Sequence, residues 1–273
     1  MRSVKAFAPA TVANVSCGFD ILGFAIDAMG DTVELVLKDE PGLVVVAIVG
    51  DGGKLPLEAE KNTCAVAIQA MLDELGSTVG MNIYLTKGLP LGSGMGSSAA
   101  SAVAALKAAN RLLGNPFEKK DLLPFAIVAE KVACGAGHAD NVAPSLLGGF
   151  VLVRDYHPLD VIKLPVPTGL YCTLLHPHYE LKTADSRSVL RDMIPMKHAT
   201  IQSGNVAGLI AGLYESDFEL ISRSLRDVIA EPYRAVLLPG FYEVRAALKA
   251  AGALGMGISG SCPTLFALSR GKE

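Results

Sequence analysis

The stretch LPLGSGMGSSAASAVAA, residues 89–105, decides how the whole sequence is interpreted. It has three glycines at alternate positions, then two serines, then an alanine-rich run that predicts a helix through residue 112. Glycine tolerates positive φ and lets a ligand approach the backbone, and Ser97 and Ser98 are candidates to cap the first helical turn. The N–H groups of such a helix N-terminus would bind a phosphate without a lysine, although a tight strand-to-helix turn with no ligand would use the same residues.

Two widespread phosphate-binding loops are excluded by these residues. The stretch has no Gly-Lys-Ser/Thr ending, so it is not a Walker A loop. Ser97 stands where a dinucleotide-binding fingerprint has its third glycine, and no acidic residue follows at the usual strand end about 20 residues later. The sequence therefore fits neither a P-loop NTPase nor a Rossmann dinucleotide-binding protein.

Length and composition restrict the class of protein. The chain has 273 residues, 51% of them hydrophobic and 19% charged, with a net charge of −3, so it can form one large domain or two moderate ones. This charge provides no basic face for nucleic acid, and an anionic ligand must be held locally. The N-terminus lacks the apolar run of a signal peptide, and no stretch reaches the roughly 18 apolar residues of a membrane span. We expect a cytoplasmic protein that binds neither nucleic acid nor membrane.

The five cysteines are far apart in the sequence and form no CxxC pair or Cys/His cluster. Such spacing is typical of reduced, half-buried thiols and argues against disulfides and zinc ligands. The five are Cys17, Cys64, Cys134, Cys172 and Cys262.

The predicted elements form a β-rich front half and a more helical rear half. Strands are predicted at residues 4–8, ended by Pro9, at 23–27 and 31–38 as a hairpin turning at 29–30, at 43–49 as a buried strand, and at 82–86, 150–154, 161–164, 171–176 and 264–268. Helices are predicted at 62–75 capped by Asn62 or Thr63, at 97–112, at 118–133 with a bend or start at Pro124, and at 183–191, 198–213, 217–229 and 241–251. Residues 11–20 and 135–150 are predicted to be irregular.

The glycine-rich stretch resembles the ATP-binding motif of the GHMP kinases, in which a proline precedes Gly-Leu-Gly-Ser-Ser-Ala. Residues 252–268, GALGMGISGSCPTLFAL, resemble the third motif of that family, with Cys262 where glycine is common. The resemblance implies ATP as cofactor. The ATP-binding residues that it implies are Pro90, Leu91, Gly92, Ser93, Gly94, Met95, Gly96, Ser97, Ser98 and Ala99, with Asn62 as a weaker adenine contact.

The same resemblance implies a fold class. It is a two-domain α+β fold, with an N-terminal ATP-binding domain at residues 1–166 and a C-terminal domain at residues 167–273. The N-terminal domain would be β-rich with a left-handed βαβ crossover, and the C-terminal domain would be ferredoxin-like. The family usually continues for a few dozen residues beyond the third motif, so we expect that the last elements of the C-terminal domain are lacking. Family members are commonly dimers, which implies a homodimer.

A second motif narrows the choice of substrate within this family. PATVANVSCGFDILG, residues 9–23, is similar position by position to GHMP kinases that phosphorylate L-homoserine. An aspartate in a loop is usually a turn residue, but this resemblance implies that Asp20 pairs with the substrate ammonium. Asn14 would hydrogen-bond the hydroxyl end of the substrate and take part in catalysis.

A metal site is implied behind the glycine loop. Phosphoryl transfer from ATP needs Mg²⁺, which takes one or two carboxylates and keeps several waters. A lone glutamate on an amphipathic helix is normally a solvated residue, but the family places one at this distance from the loop, beside a serine hydroxyl. The resemblance therefore implies that Glu130 and Ser98 lie on the metal side.

The resemblance also assigns the reaction centre. Asn141 stands where mevalonate kinase and its nearer relatives have an aspartate proposed as the catalytic base, and an amide cannot act as a base at pH 7. A loose transition state needs little deprotonation of the nucleophile, so the proton could pass directly to a phosphate oxygen. Asp140, one residue earlier, is the competing candidate for a base.

The rear half supplies candidates for binding a carboxylate. Thr183 and Arg187 are four residues apart and share a face if both lie in one helix. Two guanidinium groups suit a carboxylate because they donate planar pairs of hydrogen bonds. The resemblance gives Arg187 and Arg234 this role, with His138 nearby and Thr183 close to the transferred phosphoryl group.

Two alternatives remain open from the sequence. A GHMP kinase of the mevalonate type would still use the two arginines but would leave Asp20 without an ammonium partner. A non-catalytic ligand-binding protein of this fold typically loses the serine pair or the metal-side glutamate, and this chain keeps both.

Overall fold

The computed structural model describes residues 2–181 and 183–272, which form two compact units. The first unit comprises residues 2–11, Ala25–Leu91 and Gly96–Gly148. The second comprises Val12–Phe24, Gly92–Met95 and the described residues from 149 onward. Each unit combines strands with helices, as predicted for an α+β protein. The sequence-based boundary at residues 166 and 167 stays a prediction.

The first unit has a sheet covered by helices. It contains β3 (Leu43–Val49), β4 (Gly80–Thr86) and most of β1 (Ser3–Ala13) and β2 (Leu22–Lys38). Its helices are α1 (Thr63–Glu74), α2 (Ser97–Leu112), α3 (Leu123–Cys134) and α4 (Ala139–Leu147). β4 lies between β3 and β2, and β1 also pairs with β2. β3 and β4 are parallel and are joined through α1, which confirms a βαβ crossover whose hand stays a prediction. A single 3₁₀ turn, Lys119–Leu122, precedes α3, so the α-helix starts beside Pro124.

Helix α2 is buried on nearly every side. Seven of its 16 residues are alanines, which favour helix and are small enough to let α1, α3 and α4 pack closely around it. Ala99, Ala102 and Ala105 are fully buried. This packing fixes the N-terminus of α2, where the glycine loop ends.

The predicted hairpin in β2 is wrong, because residues 22–38 form one continuous strand. Gly30 serves close packing and not a turn, since a Cβ there would lie 2.0 Å from the carbonyl oxygen of Ala8. The predicted end of β1 at Pro9 is also wrong. Among the described strands β1 pairs only with β2, and a strand with one partner tolerates a proline that cannot donate a hydrogen bond.

Two helix predictions also need correction. Residues 139–147, predicted to be irregular, form α4 despite Pro144, because apolar residues at helical spacing such as Val142 and Leu146 are buried. The helix predicted at 217–229 ends at Ser224. Asp227 interrupts it by accepting hydrogen bonds from the backbone N–H groups of the three residues 229–231.

The second unit contains two groups of strands. Residues Leu22–Phe24 of β2 pair with β5 (Phe150–Tyr156), which pairs with β6 (Leu159–Leu164), and a separate antiparallel sheet has the order β7 (Leu170–Leu175), β9 (Leu265–Arg270), β8 (Gly255–Ile258). The helices are α5 (Thr183–Ser188), α6 (Met196–Glu215), α7 (Phe218–Ser224), α8 (Glu231–Arg234) and α9 (Phe241–Ala250). Phe241 packs with Met256, Ile258 and Leu265 in the core beside this sheet.

Burial differs from expectation at several positions. β3 is not a buried strand, since Val44 is 44% exposed and Val46 is 43% exposed. The described cysteines are free thiols as predicted, but three of the four are buried and only Cys172 is partly exposed. The side chain of Cys134 lies outside the described part of the structure. Within the described residues, no helix is both long and apolar enough to cross a membrane.

Candidate functional site

The glycine loop has the backbone that its sequence predicts. Gly92, Gly94 and Gly96 have φ of 60°, 74° and 67°, a left-handed conformation that side chains other than glycine rarely adopt. Gly96 is the N-cap residue of α2, so the prediction that Ser97 or Ser98 occupies the capping position is wrong. The Ser97 hydroxyl is buried and has no hydrogen-bond partner among the described residues. A hydroxyl left unpaired beside the N–H groups of a helix start suits an anionic ligand with its metal.

Asn141 lies against the start of α2. A Cβ on Gly96 would stand 2.1 Å from Thr11 Oγ1 and 2.9 Å from Asn141 Oδ1. Thr11 Oγ1 donates a 2.9 Å hydrogen bond to Asn141 Oδ1, which fixes the orientation of the amide. Asn141 belongs to the first turn of α4, next to the buried Asp140 and after the N-cap residue His138.

A buried ion pair between Lys87 and Asp31 supports the residues at both ends of the glycine loop. Lys87 Nζ also donates to the carbonyl of Ser97 at 2.9 Å. Asp31 Oδ1 accepts from the N–H groups of Gly88 at 3.0 Å and Leu89 at 3.3 Å, where the loop begins. The pair therefore joins the entrance of the loop to the first residue of α2. No local pattern in the sequence marks two charges 56 residues apart, so this pair could not be predicted from the sequence.

The third motif holds the middle of the loop within the second unit. Ser259 Oγ donates to the carbonyl of Gly94 at 2.7 Å, and Thr264 Oγ1 donates to the carbonyl of Ser93 at 2.6 Å. A Cβ on Gly94 would stand 2.6 Å from the carbonyl oxygens of Ser259 and Cys262, so only glycine fits there. These contacts fix the loop through residues that lie more than 160 positions later in the sequence.

Residues 14–20 form a turn held by buried hydrogen bonds. Asn14 Nδ2 donates to the carbonyl of Gly260 at 2.7 Å, and Asn14 Oδ1 accepts from the N–H of Asp20 at 3.0 Å. Asn14, Val15 and Asp20 have positive φ of 71°, 41° and 60°, which is unusual for residues with a side chain, above all for the β-branched Val15. Such strain persists where the surroundings hold it, and it often occurs at functional sites.

This turn places the Asp20 carboxylate against Arg187. Arg187 Nη2 donates to both carboxylate oxygens, at 2.7 Å and 2.9 Å. Both side chains are about one-third exposed, at 33% for Asp20 and 34% for Arg187. Arg187 and Thr183 both lie in α5, as predicted, and the Thr183 hydroxyl is 3.0 Å from that of Ser261.

Arg234 is a buried guanidinium without a carboxylate partner. The residue is 3% exposed, and its Nε and Nη1 donate to the carbonyls of Ser186 at 3.2 Å and Gly260 at 2.9 Å. No acidic group of the described chain lies within ion-pair distance. Burial and the nearby positive charge of Arg187 lower the pKa of Arg234, whereas Cys262, Asp20 and Asp227 raise it. A buried charge without an ion-pair partner is unfavourable, so this position favours an anionic ligand.

The remaining predicted residues divide between the units. Asn62 is buried as the N-cap of α1, where its Oδ1 accepts from the Cys64 N–H at 3.0 Å and its Nδ2 donates to the Pro56 carbonyl at 2.9 Å. This is the geometry of a cap, and the adenine contact stays a prediction. Glu130 is 2% exposed on α3, which packs against α2. Like His138 and Asn141, Glu130 lies in the first unit. The other residues predicted to bind the ammonium and carboxylate groups of the substrate lie in the second unit.

Comparisons with known proteins identify the family to which this chain belongs. Residues 62–149 match the family model described as "GHMP kinases N terminal domain", and residues 209–273 match "GHMP kinases C terminal". A homoserine kinase of Chlorobium phaeobacteroides is 54% identical, over 100% of this chain and 88% of the relative. The crystal structure of homoserine kinase from Cytophaga hutchinsonii has a TM-score of 0.97 and 58% identity, covering 100% of this chain and 86% of that one. An L. major mevalonate kinase structure, covering 98% of this chain and 87% of that chain, is 17% identical with a TM-score of 0.72, which shows the fold alone.

Proposed function

The chain belongs to the GHMP kinase family, among the homoserine kinases, and from this premise we propose that it transfers the γ-phosphoryl group of ATP to the hydroxyl of L-homoserine. The products are O-phospho-L-homoserine and ADP, on the route to threonine. The two-domain α+β fold predicted from the sequence is that of this family. We further propose that the protein acts in the cytoplasm as a homodimer, as the resemblance implies.

One observation carries the choice of substrate: the Asp20–Arg187 ion pair lies in the same unit as the buried Arg234, which has no ion-pair partner among the described residues. L-Homoserine is a zwitterion with one ammonium and one carboxylate. A partly exposed ion pair is worth about 0–1 kcal/mol, so opening it for a ligand requires little free energy. The ammonium then pairs with Asp20, and the carboxylate accepts hydrogen bonds from Arg187 and Arg234. Mevalonate has no ammonium for Asp20, and galactose has no charge at all.

The residues of the first unit support a metal-assisted ATP site. The Ser97 hydroxyl is buried and unpaired at the start of α2, and the buried Glu130 lies on the adjoining helix. Hydroxyl and carboxylate oxygens are the hard ligands that Mg²⁺ prefers. We propose that Glu130 and Ser98, which follows Ser97 in the first turn of α2, hold the ion, which when bound neutralises charge on the phosphates. The N–H groups of the loop and of α2 orient those phosphates.

Replacement of Glu130 by glutamine tests the metal assignment. The amide keeps the size of the side chain but loses the charge that attracts a divalent cation. We expect kcat to fall and the Mg²⁺ concentration for half-maximal rate to rise about tenfold or more, since one of few protein ligands is weakened. A Mg²⁺ titration of ADP release measures both. A titration curve identical to that of the parent protein would remove Glu130 from the metal site.

We propose catalysis without a dedicated base. Asn141 is fixed at the loop by Thr11, and its amide orients groups but accepts no proton at pH 7. Asn14 and Thr183 position the hydroxyl end and the transferred group, and the hydroxyl proton passes to a phosphate oxygen.

Asp140 is the residue whose replacement tests whether catalysis proceeds without a dedicated base. The change Asp140→Asn is expected to keep most of kcat, because the proposed reaction uses no carboxylate as base. Steady-state ADP release at saturating substrates measures it, with circular dichroism as a check of folding. A loss of about a thousandfold, within the range attributed to general-base catalysis, would establish Asp140 as the base.

The proposed substrate is tested by a panel of alcohols in a coupled ADP-release assay. L-Homoserine carries both charges, 3-aminopropan-1-ol only the ammonium, and 4-hydroxybutanoate only the carboxylate, while mevalonate and galactose represent the alternative kinases. We expect the highest kcat/KM for L-homoserine and a large loss for each singly charged analogue. Preference for mevalonate would support the alternative kinase, and no turnover with any alcohol would support a ligand-binding protein.

A further inference from the structure

The ring of Phe19 contacts both arginines assigned to the substrate carboxylate. The Cζ atom of Arg234 lies 5.1 Å from the ring centroid, and that of Arg187 lies 5.7 Å from it. Both distances are within the range of about 6 Å over which an aromatic face attracts a cation. Phe19 immediately precedes Asp20, so one dipeptide contacts all the charged groups of the proposed substrate site in this unit.

The ring is part of a rigid turn. The N–H groups of Ile21 and Leu22 donate to the carbonyl of Gly18 at 3.0 Å and 2.9 Å. A Cβ on Gly18 would lie 2.4 Å from the Leu22 side chain, so the chain approaches itself closely just before the ring. The hydroxyl of Tyr156 holds the carbonyl of Asp20 at 2.9 Å. The backbone on both sides of Phe19 is therefore fixed before a ligand binds.

Two guanidinium groups near one site repel each other, and Arg234 has no acidic group within ion-pair distance among the described residues, although the more distant Asp20 and Asp227 raise its pKa. Asp20 offsets the charge of Arg187 only until it pairs with an ammonium. The negative face of the Phe19 ring lies near both cations and attracts them, and this attraction contributes more where water is partly excluded, as around the half-buried Phe19. An aliphatic side chain of similar size would preserve packing but would lose this attraction.

We infer that Phe19 is a positioning residue, whose ring holds Arg187 and Arg234 where both can bind one substrate carboxylate. The inference deepens the proposed function and rests on it. Phe19 acts through the arginines and touches no reacting atom, so its replacement should weaken binding of the carboxylate and leave the ammonium and the phosphoryl transfer largely unaffected. That combination distinguishes it from a residue that only fills space.

The change Phe19→Leu tests this. We expect the KM for L-homoserine to rise about tenfold with kcat within about twofold of the parent, since two cation–π contacts are lost. The binding of 3-aminopropan-1-ol, measured as inhibition of L-homoserine turnover, should change less than about twofold, because that amine has no carboxylate. Phe19→Tyr keeps an aromatic face and should restore the parent KM. Phe19→Met replaces the leucine variant if the latter melts more than a few degrees below the parent.

Phe218 offers a matched control, because Arg270 lies 5.1 Å from its ring centroid elsewhere in the same unit. Phe218→Leu removes a similar contact and should leave the KM for L-homoserine unchanged. An equal loss for both ligands in Phe19→Leu, or no change in KM, would overturn the positioning role. Failure of the parent protein to phosphorylate L-homoserine would instead refute the proposed function, so the two failures are distinguishable.

Discussion

The Arg234→Leu variant is expected to raise the KM for L-homoserine about 10- to 150-fold, with a smaller change in kcat. The guanidinium is buried and two of its nitrogens already donate to backbone carbonyls, so its remaining donors are the ones that we propose bind the substrate carboxylate. A hydrogen bond to a charged group contributes about 1.5–3 kcal/mol, which corresponds to this range. Binding that is equal in the ground and transition states appears in KM and not in kcat. Steady-state kinetics at saturating ATP measure the effect.

Arg270 is the control for this variant. Its guanidinium lies 5.1 Å from the ring centroid of Phe218, and neither residue lines the pocket that contains Arg234 and Phe19, so Arg270→Leu removes the same kind of side chain from the same unit. We expect the KM for L-homoserine to stay within about twofold of the parent in this variant. An Arg234→Leu enzyme that is folded by its melting temperature and has the parent KM would refute the carboxylate assignment.

Lys87→Met is expected to lower the free energy of unfolding by about 3–5 kcal/mol, the range found when a buried ion pair loses one partner. The change leaves the Asp31 carboxylate fully buried without its counter-charge. It also removes the hydrogen bond to the carbonyl of Ser97, so the KM for ATP should rise as the loop loosens. Urea unfolding measures the first effect, and ATP titration measures the second.

An exposed pair provides the control for this change. Lys61 Nζ is 3.7 Å from Glu58, and both side chains are mostly exposed, so Lys61→Met should alter the free energy of unfolding by less than about 1 kcal/mol. The double variant Asp31→Asn with Lys87→Met removes the stranded charge and should recover part of the loss. Equal stability of Lys87→Met and Lys61→Met would contradict the supporting role of the buried pair.

The glycine loop could be predicted from the sequence because its determinants are local. Positive φ at alternate glycines and an alanine-rich helix both follow from neighbouring residues, and both are present in the structure. Gly30 shows the limit of such reasoning. Glycine suits a turn or a close approach of two strands, and only the packing of β1 against β2 decides between them. In the same way α4 forms because its apolar face is buried, although Pro144 argues against a helix locally.

The charged groups show a second limit of prediction from the sequence. Family resemblance selected Asp20, Arg187 and Arg234, but it assigned each to a group of the substrate and not to one another. The structure pairs Asp20 with Arg187 across 167 residues of sequence and gives Arg234 no ion-pair partner among the described residues. Such pairings depend on the fold as a whole, as does the contact of Phe19 with both arginines.

The central claim is that this chain phosphorylates the hydroxyl of L-homoserine, and direct identification of the product tests it most directly. Purified protein is incubated with ATP, Mg²⁺ and L-homoserine, and the mixture is analysed by ³¹P NMR and mass spectrometry. We predict one new phosphomonoester on the side-chain oxygen of homoserine, formed in equal amount with ADP. ADP without a phosphorylated amino acid, or a phosphorylated product only when mevalonate replaces L-homoserine, would contradict the claim.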